Sequence, residues 1–247
     1  MKKSKWKEAK TLFNGTGMTV ILLLLLLLDF GYFYLTSKNL LLSVTVGIIG
    51  AIVLFFTLVV RNQKTKVYQH QLSELLKYAS NMVFLLQSDK NVLYSLQESK
   101  NTVDPIIQKD IQKTIDILEK EARLDTSHFK KYNFPALDQF HQILQIKYEQ
   151  GGSAKRMFSE VINSMNFELT KRDEHYRKKR GMAVQIYTIV GLVGAIPLMM
   201  RFFVAHLYDQ FLAMRMASST ILLIFFFGFL WNIHRVQKKA NDINIRV

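Results

Sequence analysis

Apolar residues in this chain are concentrated in four long runs, and this clustering constrains the fold more than any other feature. Met18–Leu28 contains seven consecutive leucines, and Leu40–Val60 holds nothing more polar than serine and threonine. Met182–Met200 and Met216–Trp231 repeat the pattern near the C-terminus. A membrane core of about 30 Å takes roughly 20 helical residues to cross. The sequence therefore predicts four membrane-spanning helices in two closely spaced pairs, and it excludes secreted and cytosolic soluble proteins.

The positive charge lies at the edges of these runs. The chain has 33 Lys and Arg against 19 Asp and Glu, yet residues 67–170 hold 12 basic and 13 acidic residues. Eighteen basic residues flank the runs on one side: Lys2, Lys3, Lys5, Lys7, Lys10, Arg61, Lys64, Lys66, Lys171, Arg172, Arg177, Lys178, Lys179, Arg180, Arg235, Lys238, Lys239 and Arg246. The short segments on the other side hold only Lys38, Arg201 and Arg215.

This asymmetry follows the positive-inside rule. It predicts a multi-pass protein of the cytoplasmic (inner) membrane, with both termini and the central region in the cytoplasm. A nucleic-acid partner is not predicted, because such a protein carries its basic residues on the folded domain. The first run lacks a small-residue cleavage site and is interpreted as a retained span. The absence of cysteine fits a reducing compartment and excludes disulfide scaffolds.

The predicted organisation has five segments. They are a basic cytoplasmic N-terminus (1–16), a transmembrane hairpin (17–60), a cytoplasmic helical bundle (61–180), a second hairpin (181–234) and a cytoplasmic tail (235–247). The fold class is all-α, with two transmembrane hairpins flanking an antiparallel bundle.

Helical periodicity runs through the central region. Apolar residues recur at three- and four-residue steps in four stretches. The predicted inward faces are Leu72, Leu75, Leu76, Ala79, Met82, Val83 and Leu86; Ile107, Ile111, Ile115, Leu118 and Ala122; Leu137, Phe140, Leu144 and Tyr148; and Met157, Phe158, Val161, Ile162, Met165 and Leu169. The last helix is expected to continue through the charged stretch into the third span.

Capping residues mark the expected helix ends. Ser88 or Asp89 is predicted to cap a short helix, and Asp104 followed by Pro105 to begin the next. A break is expected at residues 125–127, followed by a helix starting near Pro135. Gly151 and Gly152 are expected to end that helix, and Ser153 to start the last one.

Motifs for catalysis are missing. The glycine-rich stretch at residues 151–156 has neither the spacing nor the hydroxyl of a phosphate-binding loop. The six histidines show no pairing and no acidic partner at metal-ligand spacing, and no nucleophile motif occurs. The sequence predicts no enzyme, no catalytic or metal-binding residue and no cofactor.

Asp29 is the one acidic residue within a predicted span. An unpaired carboxylate there costs about 2.5–3.5 kcal/mol on insertion scales. One interpretation makes it an intramembrane contact to another helix or subunit, with Arg201 as a candidate partner. The other places it near the outer interface, beside Tyr32 and Tyr34 and within reach of water. The second interpretation is preferred, because only six residues separate Asp29 from the end of the run.

A family resemblance begins at Leu85 and extends to Met200. LLQSDKNVLYSLQES is similar to a helix, turn and helix of the platform proteins of type II secretion and type IV pilus machines. Residues 134–185, with the Gly-Gly turn between two amphipathic helices and a charged stretch before a span, resemble the same family's domain, and AIPLMM is similar to its proline-containing membrane segment. The single copy of the domain resembles the tight-adherence (Tad/Flp) pilus branch.

The resemblance implies a non-enzymatic inner-membrane scaffold that couples a hexameric secretion ATPase to assembly of prepilin or pilin subunits. It also implies a second platform subunit or a homo-oligomer, within the lipid bilayer. The candidate partner-facing surface comprises Glu149, Gln150, Gly151, Gly152, Lys155 and Arg156, although a solvated helix cap would look the same. Two alternatives remain open: a small transporter or channel component, suggested by Asp29 and Arg201, and a membrane-anchored regulator.

Overall fold

Helices are the only regular secondary structure in the part of the chain that this computed structural model describes, residues 13, 15–152 and 154–242. The predictions made for the N-terminal lysines, Ser153 and Arg246 lie outside these residues. The helices α1 to α9 are Gly15–Ser37, Leu40–Leu54, Arg61–Gln87, Val92–Lys100, Pro105–Glu121, Pro135–Gln150, Lys155–Phe203, Ala205–Ala213 and Arg215–Ala240. A π-helical segment, Phe55–Val60, joins α2 to α3, and a 3-10 helix, Ser127–Tyr132, lies between α5 and α6.

Four helical stretches are long and apolar enough to cross a membrane: Thr16–Ser37, Leu40–Gln87, Lys155–Phe203 and Arg215–Ala240. They confirm the all-α fold class, each contains one of the four predicted spans, and they indicate a membrane protein. By its internal contacts the chain divides into two compact units. Residues 1–65 and 175–247 form the first unit, which we call the span unit, and residues 66–174 form the second, the central bundle.

Close packing in the span unit depends on glycine. A Cβ on Gly47 would lie 3.2 Å from the Cα of Phe30, so α1 and α2 approach at the level of their backbones. Tyr32 donates a hydrogen bond of 2.9 Å to the carbonyl of Gly194, which joins α1 to α7. Small residues at the contact thus serve packing within the chain.

The core of the central bundle is built mainly from the predicted stripes. Leu75, Ile111 and Leu137 are each fully buried, and they come from three different helices. Tyr78 is also fully buried, although the predicted stripe on its helix omitted it. Three predicted core positions are wrong: Tyr148 and Met157 are exposed, and Ala122 is exposed because it is the left-handed C-cap of α5.

The helix ends agree with the sequence in most places. Asp104 stands at the N-cap of α5 with Pro105 as the first helical residue, and Gly151 and Gly152 follow α6 with φ of 69° and 75°. The predicted cap of α4 is wrong by two or three residues. Asn91 is the cap, because its side chain accepts a 2.8 Å hydrogen bond from the amide of Tyr94, whereas Asp89 lies in a left-handed turn with φ of 58°.

Helix α7 is continuous over 49 residues. It passes through the charged stretch and through Pro197 without interruption. The expectation that the last helix of the bundle and the third span are one helix is therefore confirmed.

Candidate functional sites

The Gly-Gly end of the central bundle consists of the six residues predicted to face a partner. Glu149, Gln150, Gly151, Gly152, Lys155 and Arg156 are all exposed. Both glycines have the positive φ that other residues rarely adopt, which turns the chain sharply between α6 and α7. The Lys147 Nζ donates to the carbonyl of Gly152 and holds the turn against α6.

A groove of about 290 Å³ extends this surface toward the end of α3. Its lining includes Gln87, Asp89, Gly152 and Lys155. Arg156 forms an exposed ion pair of 2.9 Å with Glu160 on the next turn of α7. The Gly-Gly end is therefore a charged, open surface with contributions from three helices, whereas the sequence had indicated only two of them.

Asp29 lies buried inside the span unit. The residue is 8% exposed, and its Oδ2 has no hydrogen-bond partner. A Cβ on Gly50 would lie 2.6 Å from that oxygen and 2.9 Å from the ring of Phe226. Helices α1, α2 and α9 thus meet around the carboxyl group.

Arg201 does not contact Asp29. Its Nη1 donates a hydrogen bond of 2.5 Å to Oδ1 of Asp209 on α8. The same oxygen accepts a 3.1 Å hydrogen bond from Lys38, in the turn between α1 and α2. The hydrogen bond from Arg201, and then that from Lys38, lowers the pKa of the Asp209 carboxyl. The two segments predicted to lie on the outer side are therefore tied together by charge, an arrangement that the sequence analysis missed.

Arg172 is a second feature that the sequence analysis missed. The sequence analysis counted it among the basic residues that precede the third span, yet it is buried and only 3% exposed. Its guanidinium donates to Glu168 on its own helix at 2.5 and 3.1 Å, to Tyr68 on α3 at 3.0 Å, and to the carbonyl of Asn133 at 2.8 Å. This charge belongs to the interior of the central bundle and fixes α3, α7 and the 3-10 segment to one another.

One histidine is packed into the aromatic core of the central bundle. His141 is 4% exposed and lies beside the rings of Phe129, Phe140 and Tyr78 at centroid distances of 4.7, 5.5 and 6.0 Å. Burial, and then the neighbouring charge of His128, lowers the pKa of His141 to about 3. Its Nε2 has no hydrogen-bond partner. His141 is therefore neutral at physiological pH and behaves as a core residue.

His70 belongs to a small polar cluster with Glu74 and Asp104. Its Nε2 lies 2.6 Å from Oδ2 of Asp104, and Glu74 accepts a 2.8 Å hydrogen bond from the Asp104 amide. One ligand atom from each of the three residues lies within 4.8 Å of the others, and this donor set suits a divalent cation. The hydrogen bonds alone already explain the cluster, because they join His70 and Glu74 of α3 to Asp104, the residue that precedes α5. The sequence analysis found no acidic partner at metal-ligand spacing for any histidine, and this was wrong for His70, because Glu74 follows it by one helical turn.

Comparison with protein-family models, curated proteins and solved structures finds no match to this chain. The site geometry and the charge distribution are therefore what bear on function.

Proposed function

We propose that this protein is an inner-membrane platform of a type IV pilus-like or type II secretion-like machine. In this role it is a scaffold that couples a cytoplasmic secretion ATPase to the assembly of pilin subunits. The observation that carries the proposal is α7, a single helix of 49 residues. It starts beside the Gly-Gly turn of the central bundle and includes the apolar third span.

The charge distribution supports the same proposal. The basic residues flanking the spans favour a cytoplasmic position for the central bundle, where it would be accessible to an ATPase. The Gly-Gly end offers exposed acidic and basic side chains for polar contacts with that partner. The spans would contact prepilin subunits in the bilayer, together with a second platform subunit or a second copy of this chain.

Asp29 supports one alternative function, that of a small transporter or channel component. A buried carboxyl oxygen without a partner inside a spanning helix is a common feature of ion and proton pathways. Under this alternative the protein is a small transporter or channel component. Purified protein in liposomes would then move ions or solute, and Asp29→Asn would abolish that flux. The platform proposal predicts no flux from either protein.

Tagged purification from native membranes in mild detergent, followed by mass spectrometry, tests the platform proposal. The wild-type chain should recover a secretion-type ATPase and a prepilin-like protein. The double variant Lys155→Glu/Arg156→Glu should lose the ATPase and retain the prepilin-like protein. Acidic side chains are favourable in the first turn of a helix, so this variant should fold.

The matched control is Lys109→Glu/Lys113→Glu, which makes the same charge change on exposed residues of α5. It should recover both partners. If the wild-type chain recovers neither protein, the platform proposal is wrong. If the Lys155→Glu/Arg156→Glu variant retains the ATPase, the platform can stand, but its ATPase does not bind at the Gly-Gly end.

A further inference from the structure

A groove of about 420 Å³ opens between α7 and α9 within the span unit. It lies at the polar end of the third and fourth spans, where their apolar residues give way to charged ones. Met182, Ala183, Ile186, Val236 and Ala240 supply its apolar walls. Lys179, Arg235, Lys239 and Asp242 supply its charged residues.

Small residues and cross-helix hydrogen bonds shape the groove. Ala183 and Ala240 are 4% and 7% exposed, and their short side chains leave space between the helices. The Lys179 Nζ donates to the carbonyl of Asp242, and the Tyr187 hydroxyl donates to the side-chain oxygen of Gln237. These bonds hold α7 and α9 at a fixed separation, so the space persists as a groove.

The electrostatic character of the groove is positive. Three of its four charged side chains are cationic, and Asp242 is the one acid. The guanidinium of Arg235 lies 5.5 Å from the ring centroid of Trp231, which is 61% exposed. Exposed tryptophan beside Lys and Arg is typical of the headgroup level of a membrane.

We propose that this groove binds an anionic phospholipid. The phosphate would be held by Lys179, Arg235 and Lys239, and an acyl chain would lie along the apolar wall from Met182 to Ile186. An amphiphile fits better than a free anion, because a free phosphate would leave that wall exposed to water. A zwitterionic lipid fits less well, because its own cation would meet the three basic side chains. The proposal rests on the four spans and is independent of the pilus assignment.

Fluorescence of Trp231 gives a direct test. The chain has two tryptophans, so Trp6→Phe, outside the described residues, leaves Trp231 as the reporter in the full-length protein. The protein is placed in two vesicle samples, each of equal parts phosphatidylglycerol and phosphatidylcholine. Bromine, the quencher, is attached to the phosphatidylglycerol in one sample and to the phosphatidylcholine in the other. Surface charge is then the same in both samples. Because basic side chains near a membrane surface attract anionic lipid, we expect roughly tenfold preferential quenching by the brominated phosphatidylglycerol.

Matched charge variants assign the preference to the groove. The variant Lys179→Gln/Lys239→Gln should bring the two quenching efficiencies close to equality. It leaves Arg235 in place, so the surroundings of Trp231 are unchanged. Lys178→Gln/Lys238→Gln removes the same charge from exposed neighbours that do not line the groove, and it should keep the preference.

Three results would overturn the proposal. Equal quenching by the two lipids in the wild-type background would show that no anionic lipid is selected. An equal loss in both double variants would show diffuse attraction to the surface in place of a site. Displacement of the brominated phosphatidylglycerol by millimolar inorganic phosphate would assign the groove to a free anion.

Discussion

Arg172 shows how one side chain can hold several segments of the central bundle together. Its guanidinium bonds to Glu168, Tyr68 and the carbonyl of Asn133, all within 3.1 Å. The ion pair with Glu168 has side-chain exposures of 4% and 16%. A buried pair of this kind contributes less than its Coulomb energy suggests, but removing one partner is costly because the other charge remains buried.

We therefore expect Arg172→Gln to lower the free energy of unfolding of the central bundle by about 3–5 kcal/mol. Denaturant unfolding of the full chain in detergent, followed by circular dichroism, measures this loss. Arg177→Gln is the control, because Arg177 is exposed and should change stability by less than about 0.5 kcal/mol. Equal stability of the two variants would contradict an internal role for Arg172.

His141 makes the stability of the central bundle depend on pH. Burial lowers its pKa from 6.5 to about 3, so the unfolded chain binds a proton that the folded chain excludes. Its stabilising contribution is complete above the unfolded pKa of about 6.5 and decreases as the pH falls toward 3. We expect a loss of about 2 kcal/mol at pH 5 relative to pH 7.5, measured by denaturant unfolding.

His141→Phe is the matched variant for this prediction. It keeps a ring among Phe129, Phe140 and Tyr78 and removes the titrating group. The pH dependence of its unfolding between pH 7.5 and 5 should be flatter than that of the wild-type chain. Identical pH profiles would show that other groups cause the acid sensitivity.

At the scale of the helices, the prediction from sequence worked where local chemistry decides the structure. The start of α5 is determined by Asp104 and Pro105, and the end of α6 by Gly151 and Gly152. In both cases the residues that decide the helix end stand at that end. Asn91 was missed because Ser88, Asp89 and Asn91 are all residue types that cap helices well. Only the left-handed turn at Asp89 decides that the helix begins after Asn91. The environments of Arg172 and Asp29 depend on residues far along the chain, so a local pattern could not predict them.

The contact between α1, α2 and α9 depends on Gly50. A Cβ there would lie 2.6 Å from the Asp29 carboxyl and 2.9 Å from the ring of Phe226. We expect Gly50→Ala to reduce the thermal stability of the span unit, because both neighbours are buried side chains that the added Cβ would displace. Gly191→Ala is the control, since no atom lies within 4 Å of the added Cβ and alanine is the better helix former.

The unfolding temperatures of the two glycine variants are measured in the same detergent and compared with that of the wild-type chain. Gly50→Ala should unfold several degrees below the wild-type chain, while Gly191→Ala should unfold at the same temperature or above it. A Gly50→Ala protein as stable as Gly191→Ala would show that α1, α2 and α9 are not closely packed at Asp29.

At the scale of the whole molecule, the platform proposal depends on the side of the membrane on which the central bundle lies. The platform proposal needs the central bundle in the cytoplasm, because its ATPase partner is there. The same arrangement places α8, with the Arg201, Asp209 and Lys38 network, on the outer side. The basic residues flanking the spans predict this orientation.

Single-cysteine labelling tests the orientation directly, because the chain contains no cysteine of its own. Gln210→Cys on α8 and Ser159→Cys on α7 each place one thiol at an exposed position. When a membrane-impermeant maleimide is added to spheroplasts, we expect Gln210→Cys to be labelled in intact spheroplasts and Ser159→Cys only after lysis. Labelling of Ser159→Cys in intact spheroplasts would place the central bundle outside, beyond the reach of any cytoplasmic ATPase, and would contradict the platform proposal.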